Sequence, residues 1–209
     1  MKVGSIVDDL LSSGSTRYQK RVLKREDAEL FDLQKSMDPD LLITEAKWEE
    51  AMNHLDAVRS SEAWQWYKKL GTSFQLILQG NVNDVPMCGM GDMITETDTH
   101  VFIDDLKVSN KAKASSPSKW FFNCMDMGYL RQLALYGELY RQMNEERVKD
   151  KKFVYRHIVS YKEHQDLYKV QTFVFTQDSI DQAFEQIINA LDQLKECIAN
   201  NDWSDPPGS

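Results

Sequence analysis

The two stretches Gly91-Asp92-Met93-Ile94 and Ile103-Asp104-Asp105-Leu106-Lys107-Val108-Ser109 follow one another closely in the middle of the chain. Apolar and β-branched residues surround the acidic positions in both, which predicts one strand over Met87 to Thr95 and a second from Val101 onward. The Thr-Glu-Thr-Asp-Thr run at 95–99 between them favours a tight turn. The sequence therefore predicts an antiparallel hairpin.

The predicted hairpin gathers carboxylates and one lysine on one face. Side chains two residues apart on a strand point the same way, so Asp105 and Lys107 project together while Asp104 points to the opposite face. Neighbouring strands of a hairpin lie side by side, which brings Asp92 within reach of Asp105. Carboxylate oxygens with open positions suit Mg²⁺, and a lysine there can offset negative charge or orient a water. The alternative is a solvated strand face, on which Asp-x-Lys is a common pattern.

A following helix carries a further pair of polar side chains. Gln132 and Tyr136 are at positions i and i+4, so they share one helix face. With this pair, the chain resembles the PD-(D/E)XK nuclease superfamily, specifically its RecB-type exonuclease branch, which phages often carry. The resemblance covers most of the chain and rests on three motifs: Gly89-Met90-Gly91-Asp92, Asp105-Leu106-Lys107-Val108-Ser109 and Gln132-Leu133-Ala134-Leu135-Tyr136.

The resemblance implies a metal-dependent active site with defined roles. The ion would be Mg²⁺, with Mn²⁺ able to substitute, and the last motif would orient the scissile phosphate. The implied catalytic residues are Asp92, Asp105, Lys107, Gln132 and Tyr136, and the implied metal ligands are Asp8, Asp92, Asp105 and the carbonyl of Leu106.

The first helix of the chain supplies the remaining acidic residue of that set. Apolar residues recur at helical spacing over residues 2–12, which predicts a short amphipathic helix. RecB-type nucleases contribute a helix of pattern Gly-x-x-x-His-x-x-Leu, and the run from Gly4 to Leu11 is similar to it, with Asp8 at the histidine position. An aspartate oxygen can also bind a divalent cation, so the role survives this departure. The alternative is a solvated aspartate on the polar face of the helix.

Length and composition are those of one soluble domain. The chain has 209 residues, of which 42% are hydrophobic and 28% charged, enough to bury a full core. We expect a single nuclease domain over 1–203, with an N-terminal helical part at 1–70 and a catalytic core at 71–200, followed by a loose tail at 204–209. No apolar run reaches the roughly 18 residues of a membrane span, so no membrane partner is expected.

Cysteine usage points to a reducing compartment. The three cysteines, Cys88, Cys124 and Cys197, are widely spaced and odd in number. We therefore expect the protein to reside in the cytoplasm, or in the host cytoplasm if a phage encodes the chain. Some RecB-type relatives hold an iron–sulfur cluster with four cysteine ligands. Three cysteines cannot supply that set, so we expect no iron–sulfur cluster.

Charge is unevenly distributed along the chain. The net charge of −8 argues against bulk attraction to nucleic acid. The segment from Leu106 to Met125 nevertheless contains several lysines and no acidic residue. In a nuclease, Lys111, Lys113 and Lys119 of this segment would contact DNA phosphates. The alternative is an ordinary polar loop.

The remaining pattern completes an α/β fold. A strand is predicted over Phe74–Leu78, a long helix from Pro117 to about Val148, two antiparallel strands over Phe153–Ser160 and Leu167–Thr176, and then a last helix. With the hairpin, this order matches a restriction-endonuclease-like core (α-β-β-β-α-β), a mixed central sheet flanked by helices. The histidines show no metal-ligand spacing and are interpreted as structural or surface residues: His54, His100, His157 and His164.

These expectations combine into one main function and two alternatives. The main one is a Mg²⁺-dependent DNA nuclease, an exonuclease of DNA recombination and repair or of phage DNA processing, acting on DNA and partnered by a single-strand annealing or other recombination protein. A non-catalytic module could instead use the same fold to bind DNA or a protein. The third possibility is an RNA nuclease or another nucleotide-processing enzyme.

Overall fold

The N-terminal part of the chain is mainly helical. The computed structural model describes residues 2–22, 26–165 and 167–203, and the expected tail at 204–209 lies outside the described residues. Ser61 caps one of these helices, since its hydroxyl accepts a hydrogen bond from the backbone N–H of Trp64 at 3.2 Å. The elements are α1 (Lys2–Ser12), β1 (Gln19–Lys20), α2 (Ala28–Gln34), β2 (Leu42–Ile43), α3 (Glu45–Ser60) and α4 (Glu62–Leu70), with a 3-10 turn at Pro39–Leu41.

A mixed sheet follows, with its strands neighbouring one another in chain order. Among the described residues it has five strands: β3 (Ser73–Val82), β4 (Val85–Glu96), β5 (His100–Asn110), β6 (Lys152–His164) and β7 (Leu167–Phe175). Strands β5 and β6 run parallel, and the other neighbouring pairs are antiparallel. The predicted hairpin is the β4–β5 pair. Parallel neighbours need a long crossover connection, and the helices between β5 and β6 provide it.

The crossover is divided, and the prediction of one helix over 117–148 is wrong. The structure has α5 (Lys111–Ala114), α6 (Pro117–Met127), α7 (Tyr129–Met143) and α8 (Glu145–Val148). Gly128 separates α6 from α7 because it adopts φ 70°, a left-handed conformation that glycine tolerates and that ends a helix. The chain's last helix is α9 (Gln177–Asn200).

Helices cover both faces of the sheet. Helices α1, α3 and α4 pack on the face that carries Met93, Leu106 and Ile158. Helices α6, α7 and α9 pack on the other face, around Ile103 and Val159. Consecutive residues of β5 therefore enter different cores, since side chains alternate along a strand. None of the described helices is long and apolar enough to cross a membrane.

Candidate active site

The β4–β5 hairpin places two aspartates side by side. The ladder pairs Met93 with Asp104, so the next residues along the two strands are Asp92 and Asp105. Directly opposed residues of an antiparallel pair share a face, and Asp92 and Asp105 therefore project together toward α7. Asp104 points to the other face, as predicted from the alternation.

Asp105 is fully buried, with 0% of its surface exposed. Neither of its carboxylate oxygens receives a hydrogen bond from the described residues. The ammonium group of Lys107 lies in direct ion-pair contact with Oδ2. A buried carboxylate without hydrogen-bond donors is costly unless a cation stands beside it. The surroundings of Asp105 therefore favour a positive charge next to its carboxylate.

Asp92 is held by the backbone of the neighbouring strand. Its Oδ2 accepts a hydrogen bond from the Leu106 N–H at 3.1 Å. Burial raises the pKa of the Asp92 carboxyl well above its usual range, and the adjacent carboxylates of Asp105 and Asp8 raise it further, while Lys107 offsets part of this effect. The two aspartates of the hairpin thus repel one another where water screens their charges only in part.

Lys107 connects this pair to the helix α7. Its Nζ donates to Oε1 of Gln132 at 3.3 Å and lies 4.8 Å from the centre of the Tyr129 ring. Gln132 in turn donates through Nε2 to the Tyr136 hydroxyl at 3.0 Å. Burial disfavours the charge on the ammonium, but the neighbouring carboxylates outweigh it and raise the pKa of Lys107. Lys107 is therefore protonated at neutral pH.

Asp8 joins the cluster from helix α1. Its Oδ2 accepts a hydrogen bond from Nε2 of Gln75 at 3.0 Å. Burial raises the pKa of Asp8; the Gln75 hydrogen bond opposes this shift, and the carboxylates of Asp9 and Asp105 add to it. The structure thus brings Asp8 into the electrostatic environment of Asp105 and Lys107. Gln75 was not singled out from the sequence, where it reads as one polar residue in an apolar strand.

His157 is a second residue of the site that the sequence did not reveal. It is buried, and Nδ1 accepts a hydrogen bond from Trp120 Nε1 at 3.1 Å. Its Nε2 lies 3.8 Å from Oδ2 of Asp105. Burial lowers the pKa of His157 to about 4, so the ring is neutral. Of the two interpretations, structural or surface residue, the surface one does not apply to His157, because the parallel β5–β6 register sets this buried residue directly beside Asp105.

The opposite face of the hairpin has a purely structural ion pair. Arg156 donates from Nε to Asp104 Oδ1 at 2.6 Å and from Nη2 to Oδ2 at 2.7 Å. The guanidinium also contacts the hydroxyl of the buried Tyr67 at 3.2 Å. Both charges of this pair are satisfied by bidentate hydrogen bonds. The neighbouring aspartates 104 and 105 therefore have different environments, one fully paired and one short of donors.

The three lysines predicted to bind DNA lie outside the cluster. Lys111 and Lys113 are on α5, and Lys119 is in the first turn of α6, so these lysines are on helices rather than on a loop. Lys111 is paired with Glu163 at 3.0 Å. Lys113 lines a groove of about 410 Å³ beside the end of β5, which Val108 also lines. The carboxylate cluster and the lysines thus occupy successive positions along one edge of the fold.

The donor set fits a divalent cation. Asp92 and the donor-free oxygens of Asp105 are hard oxygen ligands of the kind that Mg²⁺ prefers. The Leu106 N–H points toward Asp92, and the carbonyl of a strand residue lies on the same edge as its N–H, so the Leu106 carbonyl faces the same place. Within residues 2–22, 26–165 and 167–203, no group of three or more His, Cys, Asp or Glu side chains is placed so that it could hold a metal ion. The residues that could contribute oxygen atoms to an ion here are Asp92, Asp105 and the Leu106 carbonyl, with Asp8 nearby.

Comparison with known proteins identifies the family and the fold. The chain matches a family profile described as "PDDEXK-like domain of unknown function (DUF3799)" over residues 1–209. No curated protein matches the chain. The crystal structure of a "Putative exonuclease" from Eubacterium rectale is similar at TM-score 0.60 and 14% identity, over 97% of this chain and 68% of that one. At that identity the likeness concerns the fold alone.

A second solved structure, of SSO0001, has a TM-score of 0.33 at 14% identity over 80% of this chain and 67% of that one, which is too low a similarity to indicate a shared fold. The family match and the five-stranded mixed sheet flanked by helices confirm the predicted superfamily and fold class. The chain belongs to the PDDEXK-like family DUF3799 and has the restriction-endonuclease-like α/β fold of the PD-(D/E)XK superfamily.

Proposed function

We propose that the chain is a Mg²⁺-dependent deoxyribonuclease that hydrolyses phosphodiester bonds. The observation that carries the proposal is the buried Asp105 carboxylate, which lies beside Asp92 and has the Lys107 ammonium as its compensating charge, with no further hydrogen-bond donor among the described residues. A purely structural aspartate would be satisfied as Asp104 is by Arg156. Mn²⁺ is expected to substitute for Mg²⁺, because both accept oxygen ligands.

Each residue of the cluster has a distinct task in this proposal. A bound ion would supply a water of lowered pKa and offset the charge that builds up on the phosphate. Asp8, Asp92, Asp105 and the Leu106 carbonyl would hold the ion. Lys107 keeps its proton, since its pKa is raised, and so stabilises negative charge on the phosphate rather than removing a proton from water. Gln132 fixes the Lys107 ammonium, and Tyr136 fixes Gln132.

The sequence motifs support a more specific function than that of a deoxyribonuclease in general. The Gly89–Asp92, Asp105–Ser109 and Gln132–Tyr136 motifs resemble those of RecB-type exonucleases of phages, which supports an exonuclease of recombination, repair or phage DNA processing. DNA is then the substrate, and a single-strand annealing or other recombination protein is the expected partner, in the cytoplasm. Lys113 and Lys119 would contact the phosphates of the entering strand.

The test is a cleavage assay on end-labelled single- and double-stranded DNA with Mg²⁺, Mn²⁺ or EDTA. The wild type should cleave with either ion and be inactive in EDTA. Lys107→Ala should lower the single-turnover rate by about 100- to 1,000-fold, the usual loss of a charge-stabilising group. Its DNA affinity should change little, because one lysine contributes little to non-specific binding.

Two controls make the assay decisive. Asp98→Asn changes an exposed aspartate in the turn of the same hairpin and should leave cleavage unchanged. Asp105→Asn should abolish it. Cleavage that persists in EDTA or in Asp105→Asn contradicts the proposal. DNA binding with no cleavage under any ion would favour the non-catalytic module, which the net charge of −8 and the aspartate at position 8 also favour.

A further inference from the structure

Gln75 has a backbone conformation that its side chain does not favour. Its φ is 48°, in the left-handed region that residues with a Cβ rarely adopt. Among the described residues, the other non-glycine residues with positive φ are Asn83, Asp84 and Asn201. The first two form the β3–β4 turn and the third ends α9, where such angles are ordinary. Gln75 instead lies inside strand β3.

This unusual residue lies beside the metal-binding cluster. In the β3–β4 ladder Phe74 pairs with Met93 and Leu76 with Gly91, so Gln75 stands opposite Asp92. The irregular backbone redirects the Gln75 side chain, and Nε2 donates to Asp8 Oδ2 at 3.0 Å. Strained backbone conformations persist where contacts with the surrounding structure enforce them, and they are common at functional sites.

The hydrogen bond crosses between elements that the sequence separates widely. Asp8 lies on α1, whereas Gln75 lies on the strand next to β4. The carboxylate of Asp8 carries charge near Asp105, with which it interacts unfavourably. A neutral donor such as the glutamine amide can hold this carboxylate in place without introducing a competing cation. Helix α1 is thereby tied to the sheet at the level of the site.

We propose that Gln75 is a positioning residue that holds the Asp8 carboxylate at the metal site, and that its left-handed backbone is retained for this purpose. This inference rests on the proposed function, because it assigns Asp8 to the ion's surroundings. Gln75 itself is not expected to touch the substrate or the ion. Its effect passes through Asp8.

The test uses Gln75→Gly, which removes the amide while leaving φ 48° freely accessible. Mn²⁺ binding to the protein without DNA is followed by electron paramagnetic resonance. The dissociation constant should rise about 10-fold or more, the usual cost of removing an outer hydrogen-bond partner of a metal ligand. The matched control is Gln79→Gly, which changes a glutamine of the same strand that is paired regularly with Cys88. Gln79→Gly should leave Mn²⁺ affinity unchanged.

A second experiment repeats these measurements in the Asp8→Ala variant. If Gln75 acts through Asp8, Gln75→Gly should cause no further loss of Mn²⁺ affinity in the Asp8→Ala background. In that background it should also raise the urea midpoint of unfolding, since the amide has no acceptor and glycine removes the strain. Gln79→Gly should lower the midpoint there, because glycine weakens an ordinary strand.

The outcomes separate the two proposals. Suppose that the wild type binds Mn²⁺ and cleaves DNA, and that Gln75→Gly binds Mn²⁺ with the same affinity. The proposed role of Gln75 is then wrong, while the proposed function stands. An equal loss of affinity with and without Asp8 also overturns the role of Gln75, since Gln75 would then act by another route. A wild type that neither binds Mn²⁺ nor cleaves DNA overturns the proposed function and this inference together.

Discussion

At the scale of single residues, Asp105 carries a charge that is unfavourable for stability. Its carboxylate is fully buried and receives no hydrogen bond from the described residues, so Lys107 provides its main compensation. Asp92 stands beside it with a raised pKa, because a second carboxylate is difficult to charge there. Active sites commonly retain such unfavourable groups, and replacing them stabilises the protein.

We therefore predict that Asp92→Asn is more stable than the wild type in EDTA. The asparagine oxygen can still accept the Leu106 N–H, while the repulsion with Asp105 disappears. The free energy of unfolding at neutral pH should rise by about 1–2 kcal/mol, as is common for such replacements. Urea denaturation with EDTA and then with Mg²⁺ measures this, and Mg²⁺ should stabilise the wild type more than the variant.

Asp98→Asn is the control for this change and should shift the free energy of unfolding by no more than about 0.5 kcal/mol, as an exposed substitution. An Asp92→Asn protein that is less stable than the wild type in EDTA would show that Asp92 is well accommodated as a charge. The carboxylate repulsion inferred from the geometry would then be absent.

At the scale of elements, the site depends on how closely α7 approaches β4. A Cβ built at Gly89 would lie 2.5 Å from Cε1 of Tyr136, so the Tyr136 ring rests directly on the strand backbone. Only glycine permits that approach. Gly89, the first residue of the Gly-x-x-Asp motif, therefore leaves the space that Tyr136, the last residue of the Gln-x-x-x-Tyr motif, occupies. The break at Gly128 gives α7 a direction of its own, independent of α6.

The prediction from this packing concerns Gly89→Ala. The added methyl should displace the Tyr136 ring, and with it Gln132 and the Lys107 ammonium. We expect kcat to fall by about 10- to 100-fold, the range for a small misplacement of a catalytic group. Met90→Ala, at the neighbouring exposed position, should leave the rate unchanged. In a Tyr136→Ala background, Gly89→Ala should not lower kcat further. If it lowers kcat there as much as in the wild type, its effect does not pass through the Tyr136 ring.

At the scale of the whole molecule, the protein is acidic, whereas the proposed DNA substrate is a polyanion. The net charge is −8, but the segment after the Asp-x-Lys strand is basic. Lys111 is partly neutralised by Glu163, whereas no ion pair engages Lys113 or Lys119 within the described part of the chain. Attraction to DNA is therefore expected to be local, at the end of β5, and sensitive to salt.

We predict that replacing Lys113 and Lys119 together by Gln weakens DNA binding without changing the rate at saturating DNA. The slope of log affinity against log salt should flatten by up to about 1.8, or about 0.9 per phosphate contact on duplex DNA. Affinity titrations across a salt series measure this, with Lys107→Ala for contrast. Lys111→Gln alone should have a smaller effect because Glu163 already pairs with it.

Lys149→Gln is the control for Lys111→Gln, since each removes one lysine that an acidic residue pairs with, Glu146 at 3.1 Å for Lys149 and Glu163 at 3.0 Å for Lys111. Lys149 follows α8 and lies near the beginning of β5, where His100 pairs with Lys152, so it is at the opposite end of the strand from Lys113. It should leave the salt slope unchanged. If Lys149→Gln flattens the slope as much as the lysine pair does, DNA binding is spread over the surface and the α5–α6 segment has no special part.

Sequence periodicity was sufficient for the hairpin, for Asp105 and Lys107 on one face with Asp104 on the other, and for Gln132 and Tyr136 on one side of a helix. These features depend on residues a few positions apart, whose geometry is set by the repeat of a strand or a helix. Gly128 was also a readable signal, since a glycine inside a helical pattern can end it, and the prediction of a single helix overlooked it.

Other parts of the site arise only from tertiary packing. The parallel β5–β6 register brings His157 to Asp105, and no local pattern specifies which residues of two distant strands will pair. The left-handed Gln75 is likewise set by its contact with Asp8, against its own backbone preference. The sequence thus determined the elements and their polar faces, through interactions between near neighbours. Burial and long-range pairing, which depend on the whole fold, determined how those faces meet.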